Sequence, residues 1–128
     1  MSATVEFRGG SAMIPASRDI VQGFVARLAE AGVKTADTFL DAARLVASEL
    51  VTNAIRHAPG PCRLVLTLVE DAVEIAVSDT GEAFPTFLPS DPLRVGRHGL
   101  EIVTRLCGEV ITKPHATGKT VSARLPLR

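Results

Sequence analysis

Hydrophobic and polar positions along this chain recur with two different periods, and each change of period marks an element. Thr4 to Arg8 alternates weakly and predicts a short edge strand ending at Gly9-Gly10. Ile20, Val21, Phe24, Val25 and Leu28 then recur at three and four, predicting a helix with Pro15 in its first turn and Gly32 as its stop. A second helix is expected from about Asp37, an N-cap residue type, to about Ala58, where Pro59-Gly60-Pro61 ends it. Beyond it the period falls to two. Leu64, Leu66 and Leu68 alternate, as do Val73, Ile75 and Val77, with Glu70-Asp71 between the runs, which describes an antiparallel hairpin with one buried face. Leu100, Val103 and Leu106 predict a short third helix opening at Gly99. Glu109 to Lys113 and Lys119 to Leu125 read as a last pair of strands turning around His115 to Gly118. This order argues for an α+β fold, a two-layer sandwich with helices packed on one face of a mixed, mostly antiparallel sheet.

One stretch has no period. Glu82 to His98 holds Pro85, Pro89, Pro92 and Gly96, and so long an irregular segment inside a compact domain reads as a lid or binding loop over residues 82–98. Phe84 and Phe87 within it either pack the lid down or contribute to a partner surface.

Composition narrows the class. With 128 residues, 46% of them hydrophobic, the chain is expected to form a single domain over 1–128. Lys and Arg balance Asp and Glu at 14 each, and there is no basic run or stripe, so direct nucleic-acid binding by counterion release is not expected. The N-terminus lacks a basic region followed by an apolar stretch, and no apolar run is long enough for a membrane span. Cys62 and Cys107 are isolated and read as reduced, small hydrophobic residues of a cytoplasmic protein.

The second helix carries the chemistry. Glu49 to Ala58 reads Glu-Leu-Val-Thr-Asn-Ala-Ile-Arg-His-Ala. At roughly 100° per residue, Thr52, Asn53 and Arg56 project within about 60° of Glu49. Leu40, Ala43, Ala47, Leu50, Val51, Ala54 and Ala58 cluster on the opposite side. One face is thus core, and the other offers an acid, an amide, a hydroxyl and a guanidinium. Three glycine-containing junctions follow. Asp79-Thr80-Gly81 sits just beyond a buried strand, where an acid can accept from an exocyclic amine and a glycine admits a flat ring. Gly96-Arg97-His98-Gly99-Leu100 opens a helix, whose free N–H groups and dipole favour phosphate. Gly118-Lys119-Thr120 supplies a hydroxyl near the end of the chain.

These four segments, in this order, resemble the N box and the three glycine boxes of the Bergerat-fold (GHKL) ATPases, the superfamily of gyrase, heat-shock chaperone ATPases, histidine kinases and MutL. Within it, the small size and the wording from Glu49 to Ala58 are most similar to the bacterial anti-sigma-factor serine/threonine kinases. The resemblance covers the chain from about Pro15 onward, and its N box is its most specific part. It implies ATP and Mg²⁺ as cofactors, with Asn53 on the metal and Glu49 as general base on a serine hydroxyl or on water. It implies Asp79 on the adenine amino group, Gly81 beside the ring, and Thr120 supporting Asp79. Gly96, Arg97, His98, Gly99 and Leu100 would surround the phosphates. Arg56 is either phosphate-facing or salt-bridged, and His57 either lies near phosphate or is a structural histidine. His115 reads as a turn residue. Partners implied are a sigma factor or an anti-anti-sigma (STAS-type) protein, with a homodimer possible; a mean hydropathy of +0.25 favours some exposed apolar interface. A non-catalytic, nucleotide-gated module that sequesters a sigma factor or another regulator is the alternative. A histidine-kinase catalytic fragment is a third reading, disfavoured because no dimerisation helix with an acceptor histidine is seen. Two departures from the family pattern stand out. Ala83 occupies the second glycine of the first glycine box, and Arg97 stands where many relatives have a further glycine, either stiffening the lid or placing a cation on the γ-phosphate.

Overall fold

The computed structural model describes residues 1–57, 60–79 and 97–128, with the side chains of 97–99 excepted. The lid expected over 82–98 therefore lies mostly outside the described residues, as do Ala58, Gly81, Ala83, Phe84, Phe87 and Gly96. In chain order the elements are β1 (Ser2–Phe7), α1 (Met13–Glu30), α2 (Phe39–His57), β2 (Cys62–Val69), β3 (Ala72–Asp79), α3 (Arg97–Cys107), β4 (Val110–His115) and β5 (Gly118–Pro126). The strands form one sheet in the order β1-β2-β3-β5-β4, antiparallel at each of its described pairings.

The sheet is sided because its residues alternate. Leu64, Leu66, Val73, Ile75, Val77, Val121, Ala123 and Leu125 all face the helices and are buried. In register these include Leu64↔Val77, Leu66↔Ile75 and Val77↔Val121, so the apolar face is continuous across the three central strands. Val21, Phe24 and Leu28 of α1, Val46, Ala47, Leu50 and Val51 of α2, and Val103 of α3 close the core from the other side. On the uncovered face the partners are polar: Arg63 with Glu6, Arg124 with Glu74, and the Ser78 and Thr120 hydroxyls 2.7 Å apart. One face packed and one solvated is the ordinary state of an antiparallel sheet.

Local chemistry explains the boundaries. α1 ends in a Schellman motif: the Gly32 N–H donates to the Ala29 carbonyl at 3.0 Å and the Val33 N–H to the Leu28 carbonyl at 2.9 Å, with Gly32 at φ +81°. Pro15 sits in the first turn, where its missing N–H removes no helical bond. α2 starts later than its sequence suggests. The Thr38 carbonyl accepts the Ala42 N–H at 3.0 Å, so Thr38, not Asp37, stands at the N-cap position. The preceding loop is tied to the C-terminal tail by Ala36 N–H to the Leu127 carbonyl at 2.7 Å. α3 begins at Arg97, two residues before the glycine expected to open it. The outer strand β4 carries Lys113 and Pro114, residues that discourage further strand addition at an edge. No helix among the described residues is long and apolar enough to cross a membrane.

Candidate functional site

Topology gathers the sequence-predicted residues at one end of the sheet. The last turn of α2 leads by a short connection into Cys62, the first residue of β2, and Cys62 lies in register with Asp79 at the end of β3. The hairpin of β4 and β5 turns beside the same end, His115 pairing with Gly118. β4 therefore starts at the far end of the sheet. Since α3 reaches it through only Gly108 and Glu109, the N-terminus of α3 points back toward Asp79. Arg97, His98, Gly99 and Leu100 form that first turn, with Leu100 half-buried against the core.

The polar face of α2 is narrower than its wheel implies. α1 and α3 flank it, so burial reaches Ser48 and Asn53 as well as the apolar positions. Asn53 retains 8% of its exposure, and its carboxamide makes no hydrogen bond among the described residues. Glu49, one turn earlier, is half-buried and likewise unpaired among them. Asn53 is largely buried, but its amide atoms are not sealed from water, so the carboxamide is open to a ligand on this face. Thr52 drops out of the reactive inventory, because its hydroxyl donates to the Ser48 carbonyl at 2.6 Å within the same helix. Arg56 is exposed, and His57 is half-buried and already engaged.

Asp79 is 3% exposed, and its main partner is one that the sequence reading missed. Lys119, 5% exposed, donates from Nζ to Oδ2 at 3.0 Å and from its main-chain N–H to Oδ1 at 3.2 Å. Thr120, expected to support Asp79, does not: it is on the opposite face of β5, bonded to Ser78. The signal was present in the alternation. Val121, Ala123 and Leu125 face the helices, so period two puts Lys119 on that face and Thr120 on the other. Gly118 fixes the junction. At φ +154°, a Cβ there would collide with the Asp79 carbonyl oxygen and stand 2.7 Å from Oδ1, so only glycine lets the two strands come this close.

Cys62, across from Asp79, is buried with Sγ 3.6 Å from the Met13 sulfur. Burial raises its thiol pKa and the neighbouring Asp79 charge raises it further. Both cysteines are free, as their isolation in the sequence implied. A cavity of about 800 Å³ opens at this end of the sheet and is lined by Asp79 together with Phe7, Cys62, Ser78, His115 and Thr120 among others. It touches no α2 residue; it meets Asp79 from the strand-end side, beyond β1 and the β4–β5 turn.

The family model for the histidine kinase-like ATPase domain matches residues 14–125, nearly the whole chain. The chain belongs to that family. ATP is thus the ligand for which this domain type is built, and the match spans the α2 face, Asp79 and Lys119 together. Solved structures agree on the fold. The chain is similar to the histidine kinase domain of the Erythrobacter litoralis EL346 blue-light activated histidine kinase, with TM-score 0.52 and 23% identity, covering 70% of this chain and 45% of that one. It is also similar to the Acinetobacter baumannii histidine kinase AdeS, with TM-score 0.56 and 15% identity, covering 98% of this chain and 68% of that one. The chain thus spans less than half of the first of these and about two thirds of the second. No curated protein sequence matches it.

Proposed function

We propose that this ATPase domain is an anti-sigma factor and serine/threonine protein kinase that phosphorylates an anti-anti-sigma (STAS-type) partner in the cytoplasm. The observation that carries the proposal is the pair on α2: a nearly buried Asn53 with an unspent carboxamide, and a half-buried Glu49 one turn before it. A domain that only holds nucleotide has use for Asn53 but none for Glu49.

Asn53 fits a magnesium ligand. Its amide oxygen is a hard donor without a hydrogen-bond partner among the described residues. No cluster of three His, Cys, Asp or Glu able to hold a metal occurs among them either, and Mg²⁺ needs none when phosphates and water complete its shell. When bound, Mg²⁺ neutralises phosphate charge, the main demand of phosphoryl transfer apart from positioning. Asn53 would hold the ion on the α2 face, and the first turn of α3 would present N–H groups to phosphate oxygens. Asp79 would accept from the purine edge. Glu49 would take the proton of the substrate serine as its oxygen attacks the γ-phosphorus and ADP departs.

The test is transfer of labelled phosphate from ATP to a candidate STAS-type partner protein. Glu49→Gln should lower transfer by roughly 10²–10⁴-fold while leaving ATP affinity within a few-fold. Equal transfer by wild type and variant would remove Glu49 from the chemistry. The second reading, a nucleotide-gated binder of a sigma factor, is favoured by Ala83 in the first glycine box and by the Lys119 contact on Asp79. ATP-dependent retention of a sigma factor with no phosphate moved would select it.

A further inference from the structure

We propose that β1 pairs with β1 of a second copy of this chain, joining two five-stranded sheets into one across a two-fold axis and setting their α1 helices side by side. The surface used is the β1 edge together with the flank of α1 above it. α1 stands between this edge and α2, so the pairing leaves the α2 face open and needs no part of the nucleotide reading.

The two edges of the sheet are not alike. β4 carries Lys113 and Pro114, whereas β1 has neither residue type along Ser2–Phe7. The Leu68 N–H donates to the Met1 carbonyl at 2.9 Å, so the main-chain groups of Ala3, Val5 and Phe7 turn toward β2 and those of Ser2, Thr4 and Glu6 turn outward. Among the described residues, the outward groups of Thr4 and Glu6 have no partner, and the Ser2 carbonyl has only the Arg27 guanidinium at 3.5 Å. A strand left open in this way is a template for another strand. Antiparallel pairing with an identical strand is self-complementary about a two-fold axis. Centred on Thr4, it sets Ser2 against the partner's Glu6 on the open face and Ala3 against the partner's Val5 on the helix face, with no like charges opposed. It also sets Met1, an exposed apolar side chain, against the partner's Phe7.

The helix layer identifies the partner as a second copy. The Arg27 contact with an outward carbonyl shows which flank of α1 overlooks the edge. Asp19, Gly23 and Arg27 are four residues apart, so they form one row on that flank, and all three are exposed. α1 rests on both β1 and β2, which puts its axis about 5 Å from the two-fold axis at a strand spacing of about 4.8 Å. The two α1 axes are then about 10 Å apart, an ordinary helix-packing distance. Contacts at both ends of α1 set its level. Arg27 reaches Ser2, and the Met13 sulfur lies 3.6 Å from Sγ of Cys62, which is in register with Phe7. At about 3.3 Å per strand residue and about 1.5 Å per helix residue, Thr4 falls between Ile20 and Gly23. An antiparallel α1 pair centred on Gly23, within this turn, sets Asp19 against the partner's Arg27 on each side of the axis. Gly23 itself has no side chain to hold the helices apart. A strand register and a helix register fixed by different residues thus share one axis, and a second copy supplies both complements at once.

Sedimentation equilibrium of wild type, Thr4→Pro, Asp19→Arg, Arg27→Asp and the double variant with both charge changes tests this. Wild type is expected at twice its 13.5 kDa chain mass at about 100 μM. Proline at position 4 removes an outward N–H that nothing described in the same chain uses, so the fold is kept while the dimer weakens by about tenfold or more. Each single charge reversal opposes like charges and weakens the dimer by about tenfold or more. The double swap restores opposite charges and returns the dissociation constant to within a few-fold of wild type. Monomeric wild type at this concentration overturns the proposal. So does a dimer that none of the variants weakens, and so does a double swap no better than the single reversals. If Thr4→Pro does not fold, the charge swap decides alone, since Asp19 and Arg27 are exposed.

Discussion

Two glycines of this chain show how the same substitution changes sign with its surroundings. Gly23 lies exposed in the middle of α1, with nothing within 4 Å of the position a Cβ would take. Alanine there restricts the unfolded chain and suits the helix, so Gly23→Ala should raise stability by about 1 kcal/mol. Gly118 has neither property. Its φ of +154° is one that L side chains rarely adopt, and a Cβ would meet the Asp79 carbonyl group. Gly118→Ala should therefore cost about 2 kcal/mol or more, by forcing β5 away from the end of β3. Urea midpoints of the two variants measure both effects. A Gly118→Ala protein as stable as wild type would mean that the Asp79–Lys119 contact tolerates a wider spacing than the structure has. The same contact shows what one sequence hides at this scale. Asp79 was legible as a buried strand-end acid, but its partner was assigned to Thr120 because the glycine-box pattern was followed in place of the strand period.

At the scale of elements, the hairpin of β2 and β3 was readable because leucine and valine alternate on both strands and Glu70-Asp71 fits between them without a remainder. Helix ends were less readable, since tertiary ties fix them: α2 starts where Ala36 is bonded to Leu127, a contact that no local signal near Asp37 announces. The burial of Asn53 escaped for a related reason. A helical wheel gives the direction of a side chain but not how far the neighbouring helices wrap around it. α3 adds a titration effect of its own. Its last residue, Cys107, is half-buried, and burial pushes the thiol from an ordinary value of 9.0 up to about 11. Between these values the unfolded chain has released a proton that the folded chain keeps, so stability falls as pH rises across that window. Cys62, raised by burial and then by Asp79, adds in the same direction. Cys107→Ala should flatten part of this decline, seen as a smaller fall in urea midpoint from about pH 8.5 to pH 10.5 than wild type shows. An unchanged slope would mean that the thiol ionises as readily folded as unfolded.

For the molecule as a whole, the coupling of site to fold supplies a test that does not depend on any partner. The α2 face that would meet Mg²⁺ belongs to the helix that joins α1, α3 and the centre of the sheet. A ligand bound there stabilises the core that the described helices and sheet share. Ligand at about 100 times its dissociation constant adds about 2.7 kcal/mol, which for a chain of this size raises the melting temperature by roughly 10 °C. Asn53→Ala separates structure from binding in the same experiment. Asn53 makes no hydrogen bond among the described residues, so its loss should leave the ligand-free melting temperature within a few degrees of wild type. With ATP and Mg²⁺ together, wild type should gain the full shift and the variant only what ATP gives without the metal. The decisive quantity is the difference between shifts measured with and without Mg²⁺. If Asn53→Ala keeps that difference, the carboxamide is not a metal ligand and its unspent hydrogen-bonding capacity serves something else. If wild type has no such difference, magnesium is not part of the site, and the role given to Glu49 loses the charge neutralisation on which phosphoryl transfer depends.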